Sequence, residues 1–243
     1  MRESVRRYAV RPLGALAIAG LLASLLVAIS PARLSEAARE ISRGGFAGVA
    51  RVIDGDTLFV GDARVRLEGI DAPEADQQCK DLQGRSWQCG QAATRKLSAL
   101  VAGKDVRCES SGTDKYSRIL AVCWVGKTEI NAEMVREGLA WAFVRYSTRL
   151  VNVEAEARKL KVGVWQADNE VAWNYRAGRW STAENTAPAG CAIKGNITKV
   201  GRTYHLPWNR SYNAVRINPT KGERWFCSEA EALAAGWQPV RTF

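Results

Sequence analysis

The chain has 243 residues, a net charge of +10 from 35 Lys and Arg against 25 Asp and Glu, and 47% hydrophobic residues, which suits one medium domain with a small appendage and excludes wholesale disorder. Its single histidine, His205, excludes a Ser-His-Asp triad in the main body, a two-His zinc site and any mechanism built on a His base there. Neither GxxxxGK[ST] nor GxGxxG occurs, so chemistry has to come from carboxylates, arginines, tyrosines or a metal.

Arg2, Arg6, Arg7 and Arg11 precede an uncharged run from Pro12 to Ala32 with an apolar heart at Leu13–Ile29. A basic flank before an apolar segment predicts an apolar helix serving as export signal or signal anchor over residues 1–37. The heart is slightly long for a cleaved signal and slightly short for a comfortable span, while Ser30-Pro31-Ala32 and Ser35-Glu36-Ala37 both offer small residues at signal-peptidase spacing. Cleavage and retention therefore both stay open. In either case everything after Arg33 is expected outside the cytoplasm, released into the periplasm or anchored in the inner membrane. Removing residues 1–30 takes four Arg and one Glu from the net +10 and leaves +7, a surface suited to phosphate-rich polymers, anionic lipid or acidic polysaccharide.

From Ala47 the texture is that of an antiparallel sheet. Strands are predicted over Ala47–Ile53, Asp56–Val60 and Arg64–Gly69, with turns at Asp54-Gly55 and Gly61-Asp62. On the third strand Val65 and Leu67 face one side, and Arg64, Arg66 and Glu68 the other. A polar loop, Glu74 to Gly90, leads into a helix over Gln91–Ala102 that stops at Gly103. Two strands, Asp105–Glu109 and Arg118–Val125, flank a turn at Ser111–Ser117. A short helix from Asn131 to Gly138, an extended stretch Leu139–Val144 and a helix over Thr148–Lys161 follow. Five strands with about three packed helices predict an α+β, mainly β fold, an OB-type barrel over residues 46–180. Residues 181–190 read as a linker, and residues 191–243 as a small unit in which Ser228 and Glu231 form a capping box.

The six cysteines fall as Cys79/Cys89, Cys108/Cys123 and Cys191/Cys227, an even count that suits an oxidising compartment. Sequential pairing is the least strained of the possible connectivities. It staples the polar loop, cross-links one hairpin and closes the terminal unit, the last worth roughly 4 kcal/mol in loop entropy. The rival is a zinc site of Cys191, His205 and Cys227, one ligand short of the usual four. His205 itself reads as a structural hydrogen-bonding residue.

Three segments concentrate charge at strand ends: Val52-Ile53-Asp54-Gly55-Asp56-Thr57, Arg66-Leu67-Glu68-Gly69-Ile70-Asp71-Ala72-Pro73-Glu74 and Asp114-Lys115-Tyr116-Ser117-Arg118. Each alone is an ordinary turn or solvated strand end. Together, in this order and spacing, they resemble the hallmark segments of the staphylococcal-nuclease-like (thermonuclease) family. The resemblance covers about Ala47–Asn169 and extends to Gly138-Leu139-Ala140 and Gly163-Val164-Trp165. It implies a Ca2+-dependent nuclease hydrolysing phosphodiester bonds of DNA and RNA, with flexible single strands favoured and a product carrying a 3′-phosphate. It implies that Asp56, Asp71 and the Ala72 carbonyl hold one Ca2+ ion, a donor set that a hard cation accepts. It implies that Arg66 and Arg118 grip phosphate, that Glu74 positions the attacking water, and that Lys115, Tyr116 and Tyr146 line the nucleotide pocket. Nearby cations are expected to lower the Glu74 carboxyl below its ordinary value. Asp114 is expected to hold the Tyr116 turn, and Ser117, where the family often has Gly, to leave that turn without an easy positive φ. Cys191–Trp237 resembles a small module appended to envelope and secreted bacterial proteins. A monomer is expected. The competing reading is a catalytically silent OB-type module that binds nucleic acid or acidic polysaccharide at the cell envelope.

Overall fold

The structure, a computed structural model, describes residues 44–199 and 201–240; the apolar segment expected over residues 1–37 lies outside the described residues. The first three strands, β1 (Gly45–Val52), β2 (Thr57–Val60) and β3 (Ala63–Leu67), form an antiparallel meander. β4 (Asp105–Thr113) pairs with β1 on its other side, and β5 (Ile119–Val125) with β4. A parallel pairing of β3 with β5 (Val65 opposite Ile119, Leu67 opposite Ala121) then closes the five strands into the expected barrel. Closure follows from the alternation in the sequence: Val65 and Leu67 are buried inside, and the Arg66 between them faces outward.

Three helices cover the barrel, as expected. α1 (Cys89–Val101) buries Ala93, Leu97 and Val101, and α2 (Ile130–Arg136) buries Ile130, Met134 and Val135 against the strands. α3 (Val151–Lys159) is shorter than the predicted Thr148–Lys161. The stretch Leu139–Val144 keeps only a two-residue strand, Trp141–Ala142, paired with Ile70–Asp71. β4 runs four residues past its predicted end at Glu109, with a register shift between Ser110 and Gly112.

A fourth helix, α4 (Ala172–Glu184), was not anticipated, and it takes in the first residues of the expected linker 181–190. Small polar residues there suggest a flexible tether, but Trp180 and Ala183 are docked, and tertiary packing overrides the local composition. Beyond it, a four-stranded sheet of Ile193–Thr198, Gly201–His205, Arg224–Phe226 and Gln238–Pro239 packs on α5 (Glu229–Ala234). The Ser228 side chain accepts from the Glu231 N–H and caps α5, as the sequence predicts, while the Glu231 carboxylate takes the Cys227 N–H.

All three expected disulfides are present, Cys79–Cys89, Cys108–Cys123 and Cys191–Cys227, which removes the zinc reading of the terminal unit. His205 bonds Ser211 through Nδ1 and Asn196 through Nε2, both at 2.8 Å, and is buried as a structural residue. Among the described residues no helix is long and apolar enough to cross a membrane.

Candidate active site

The β1–β2 turn presents Asp54 and Asp56. Asp54 Oδ1 accepts the Asp56 N–H at 3.1 Å, so the first carboxylate shapes the turn that aims the second. The Asp56 carboxylate points inward, where Oδ2 accepts the Ala72 N–H at 2.8 Å and Oδ1 accepts from Thr57 and from Arg66. Asp71, at the end of the short strand Ile70–Asp71, is fully buried. Arg66 therefore spans both acids, one terminal nitrogen on Asp56 and the other on Asp71 Oδ1 at 2.6 Å.

Glu74 is held by its backbone as much as by its side chain. Its N–H donates to Gln77 Oε1 at 3.1 Å and its carbonyl accepts the Gln77 N–H at 2.8 Å, while Gln77 Nε2 donates to the Glu170 carbonyl at 2.7 Å. The start of α1 presses on the same peptide: a Cβ at Gly90 would lie 1.7 Å from the Glu74 carbonyl oxygen, so only glycine fits. Gln77 is buried and carries no motif, which is why sequence reasoning missed it.

The Asp114–Arg118 turn is built on Asp114. Its Oδ1 accepts the Tyr116 and Arg118 N–H groups at 2.9 and 3.0 Å, and Oδ2 accepts Arg118 Nε at 2.7 Å. That is the role expected of Asp114. Ser117 takes φ of +59°, so the turn adopts the left-handed conformation with a serine after all. Lys115 and Arg118 sit over the Tyr116 ring, 4.9 and 5.4 Å from its centroid. Tyr146 is exposed and packs its ring on Phe143.

Arg66, Glu74, Lys115, Tyr116, Arg118 and Tyr146 all line one cavity of about 700 Å³. Asp56 and Asp71 lie beneath it, joined to it through Arg66. Its far wall comes from the terminal unit, with Leu206, Trp208 and Val240.

One residue at this site had no sequence signal. Arg176, on α4, donates to Asp71 Oδ2 at 2.7 Å and Oδ1 at 3.1 Å, and to Glu74 Oε1 at 2.7 Å. It follows the last hallmark segment, in a helix without a recognisable motif. Only its nearness in space to Asp71 shows it.

The electrostatics follow from this crowding. Burial pushes the Asp56 carboxyl upward, Arg66 opposes the shift and Asp54 adds to it. Burial also pushes Glu74 up to about 8 against the pull of Arg176, which overturns the expected lowering: desolvation outweighs the neighbouring cation. For Arg66 and Arg176 burial favours the neutral form, but the facing carboxylates outweigh it and keep both firmly charged. Four carboxylates (Asp54, Asp56, Asp71 and Glu74) thus meet two guanidinium groups. An all-oxygen donor set fits a hard divalent cation in chemistry. Among the described residues, however, no three His, Cys, Asp or Glu side chains are arranged as a metal-binding group, because guanidinium nitrogens lie between the acids. The Ala72 N–H, beside the carbonyl expected to face the ion, donates to Asp56 Oδ2 at 2.8 Å.

The closed OB-type barrel gathers arginines and acids at one rim groove, and similarity to named nucleases makes the chain a nuclease-type enzyme. The chain belongs to the staphylococcal nuclease homologue family, whose model matches residues 64–167. It is 37% identical over 130 residues to an uncharacterized endonuclease of Haemophilus influenzae, covering 51% of this chain and 67% of that one. It is 34% identical over 146 residues to the micrococcal nuclease of Shigella flexneri (53% and 78% covered). It is also 34% identical over 135 residues to the succinoglycan biosynthesis protein ExoI of Rhizobium meliloti (54% and 71% covered).

Proposed function

We propose that the protein is an exported, Ca2+-dependent nuclease that hydrolyses phosphodiester bonds in single-stranded or flexible DNA and RNA. The observation that carries this reading is Arg118. Its Nε is fixed by Asp114, while its terminal nitrogens donate to no protein group among the described residues and face the groove that Arg66 and Glu74 also line. A guanidinium anchored at one end and open at the other can take two non-bridging phosphate oxygens, and its grip strengthens as charge builds on them. Glu74, held by Gln77 and Gly90, orients water toward the phosphorus. Tyr116 and Tyr146 offer faces on which bases stack without sequence preference, which favours flexible strands. Asp56 and Asp71 are the residues that would hold the Ca2+ ion, which when bound polarises a phosphoryl oxygen.

Hydrolysis of single-stranded DNA by the full chain, with Ca2+ and with chelator, beside Arg118→Ala, tests the reading. Removing a charge-stabilising donor of this kind costs about 10²–10³ in rate. Equal rates in parent and variant would sink the assignment. The export half rests on the basic-then-apolar leader and the three disulfides, and recovery of the protein in the cytoplasmic fraction of cells would speak against it.

The relative named for succinoglycan biosynthesis favours a second reading, a silent module that binds acidic polysaccharide. A retired site is expected to have lost part of its charged set, yet Asp56, Arg66, Asp71, Glu74 and Arg118 are all present. Binding of acidic polymer without any DNA cleavage in the same assay would favour the silent module.

A further inference from the structure

The family match ends at residue 167, yet Arg176 reaches back from α4 to the most buried acid of the site. Asp71 Oδ2 accepts Arg176 Nη2, and Oδ1 accepts both Arg66 and Arg176. No Asp71 oxygen lacks a guanidinium donor. A Ca2+ ion binds carboxylate oxygen at about 2.3–2.6 Å, and that position on Asp71 lies beside the Arg176 nitrogens, where two cations repel. The Arg176 side chain keeps 22% of its surface exposed and Asp71 keeps none, so Arg176 can withdraw toward the groove and Asp71 cannot. The helix that carries it is anchored at its far end: Arg179 Nε donates to the Pro207 carbonyl at 3.1 Å, and Trp180 packs into the core of the terminal unit.

We propose that Arg176 is a tethered counter-cation of the carboxylate pair, which a divalent cation must displace from Asp71 in order to bind, so that α4 and the terminal unit docked on it set the cation affinity of the site. This rests on the Ca2+ reading above. Arg176 balances buried charge while no ion is bound, and its tether makes it a competitor at every Ca2+ concentration. The ion then has to outbid a neighbour held in place by the fold, and saturation moves to higher Ca2+ than the acids alone would need.

Calorimetric titration of Ca2+ into the full chain, its Arg176→Met variant and its Arg176→Lys variant tests this without any activity measurement. The Met variant should bind about tenfold more tightly than the parent. The Lys variant should fall between them, because one ammonium cannot cover both Asp71 oxygens as a fork does. In chelator the Met variant should melt below the parent, since the buried Asp71 has lost one of its two guanidinium partners, and saturating Ca2+ should narrow or erase that gap. If the Met variant does not fold in chelator, the Lys variant against the parent still decides the ordering of affinities. Equal or weaker binding in both variants would overturn the competition while leaving the Ca2+ reading intact. Absence of Ca2+ binding in all three proteins would overturn the Ca2+ reading and this inference with it.

Discussion

Ser117 holds the left-handed conformation at φ of +59°, in the middle of the turn that presents Tyr116 and Arg118. A side chain there costs about 1–2 kcal/mol through its clash with the following carbonyl, partly offset because serine restricts the unfolded chain more than glycine does. Asp114 over-determines the turn by accepting the N–H groups on both sides of Ser117 and the Arg118 Nε, which is how the strained residue persists. Ser117→Gly is therefore expected to raise stability by about 0.5–1 kcal/mol, read as a higher urea midpoint at unchanged slope. A lower midpoint would show that the serine side chain contributes more than its backbone costs. The same residue shows where sequence reading stopped. The substitution for glycine was visible, but whether the backbone would bend to the turn or the turn to the residue depends on Asp114, whose three bonds form only in the folded loop.

Among the elements, α2 owes its seat to a single buried amide. Asn131 Oδ1 accepts the Cys123 N–H at 3.0 Å, and Nδ2 donates to the carbonyls of Glu68 at 2.9 Å and Ala121 at 3.1 Å, pinning the helix to β5 and to the turn after β3 where the barrel closes. Asn131→Ala strands the Cys123 N–H and the Glu68 carbonyl, while the Ala121 carbonyl keeps the Glu68 N–H at 2.8 Å. At about 1–3 kcal/mol for each buried unsatisfied group, partly relieved by relaxation, a loss of about 3 kcal/mol is expected in chemical denaturation. A loss under 1 kcal/mol would mean that water or backbone movement replaces the amide. The barrel strands and the first three helices were legible because hydrophobic alternation and helical spacing are written locally: Val65 and Leu67 declare their face, and Ala93, Leu97 and Val101 declare theirs. Asp56, Arg66, Asp71, Glu74 and Arg118 were singled out by the resemblance of their segments to the family and not by local patterning, which reads each segment alone as an ordinary turn or strand end. Asn131, Gln77 and Arg176 were not legible. Their roles depend on partners tens of residues away, Glu68 for Asn131, Glu170 for Gln77 and Asp71 for Arg176, and nothing beside them in the chain announces those partners. α4 was missed because its apolar residues are weakly patterned and bury only Ala172 and Ala183 fully.

At the scale of the whole molecule, the terminal unit carries its own pH dependence. Burial pushes His205 down from about 6.5 to about 4, with Lys194 adding to the effect, while Ser211 and Asn196 hold both ring nitrogens. The unfolded chain therefore takes up the proton at higher pH than the folded one. The contribution of His205 is complete above about pH 6.5 and is lost progressively as pH falls toward about 4. Urea midpoints followed by tryptophan fluorescence at pH 7.5, 6 and 5 should decline in the parent more steeply than in His205→Gln. Parallel declines would remove His205 from the account. The two parts of the molecule are otherwise bound by a shared cavity: the barrel supplies its floor of charges, and Trp208, Leu206 and Val240 supply the opposite wall. On the proposed reading, the width of the groove and the groups that grip phosphate are encoded by different stretches of the chain, so changes in the last fifty residues alone alter what enters while leaving Arg66, Glu74 and Arg118 as they are.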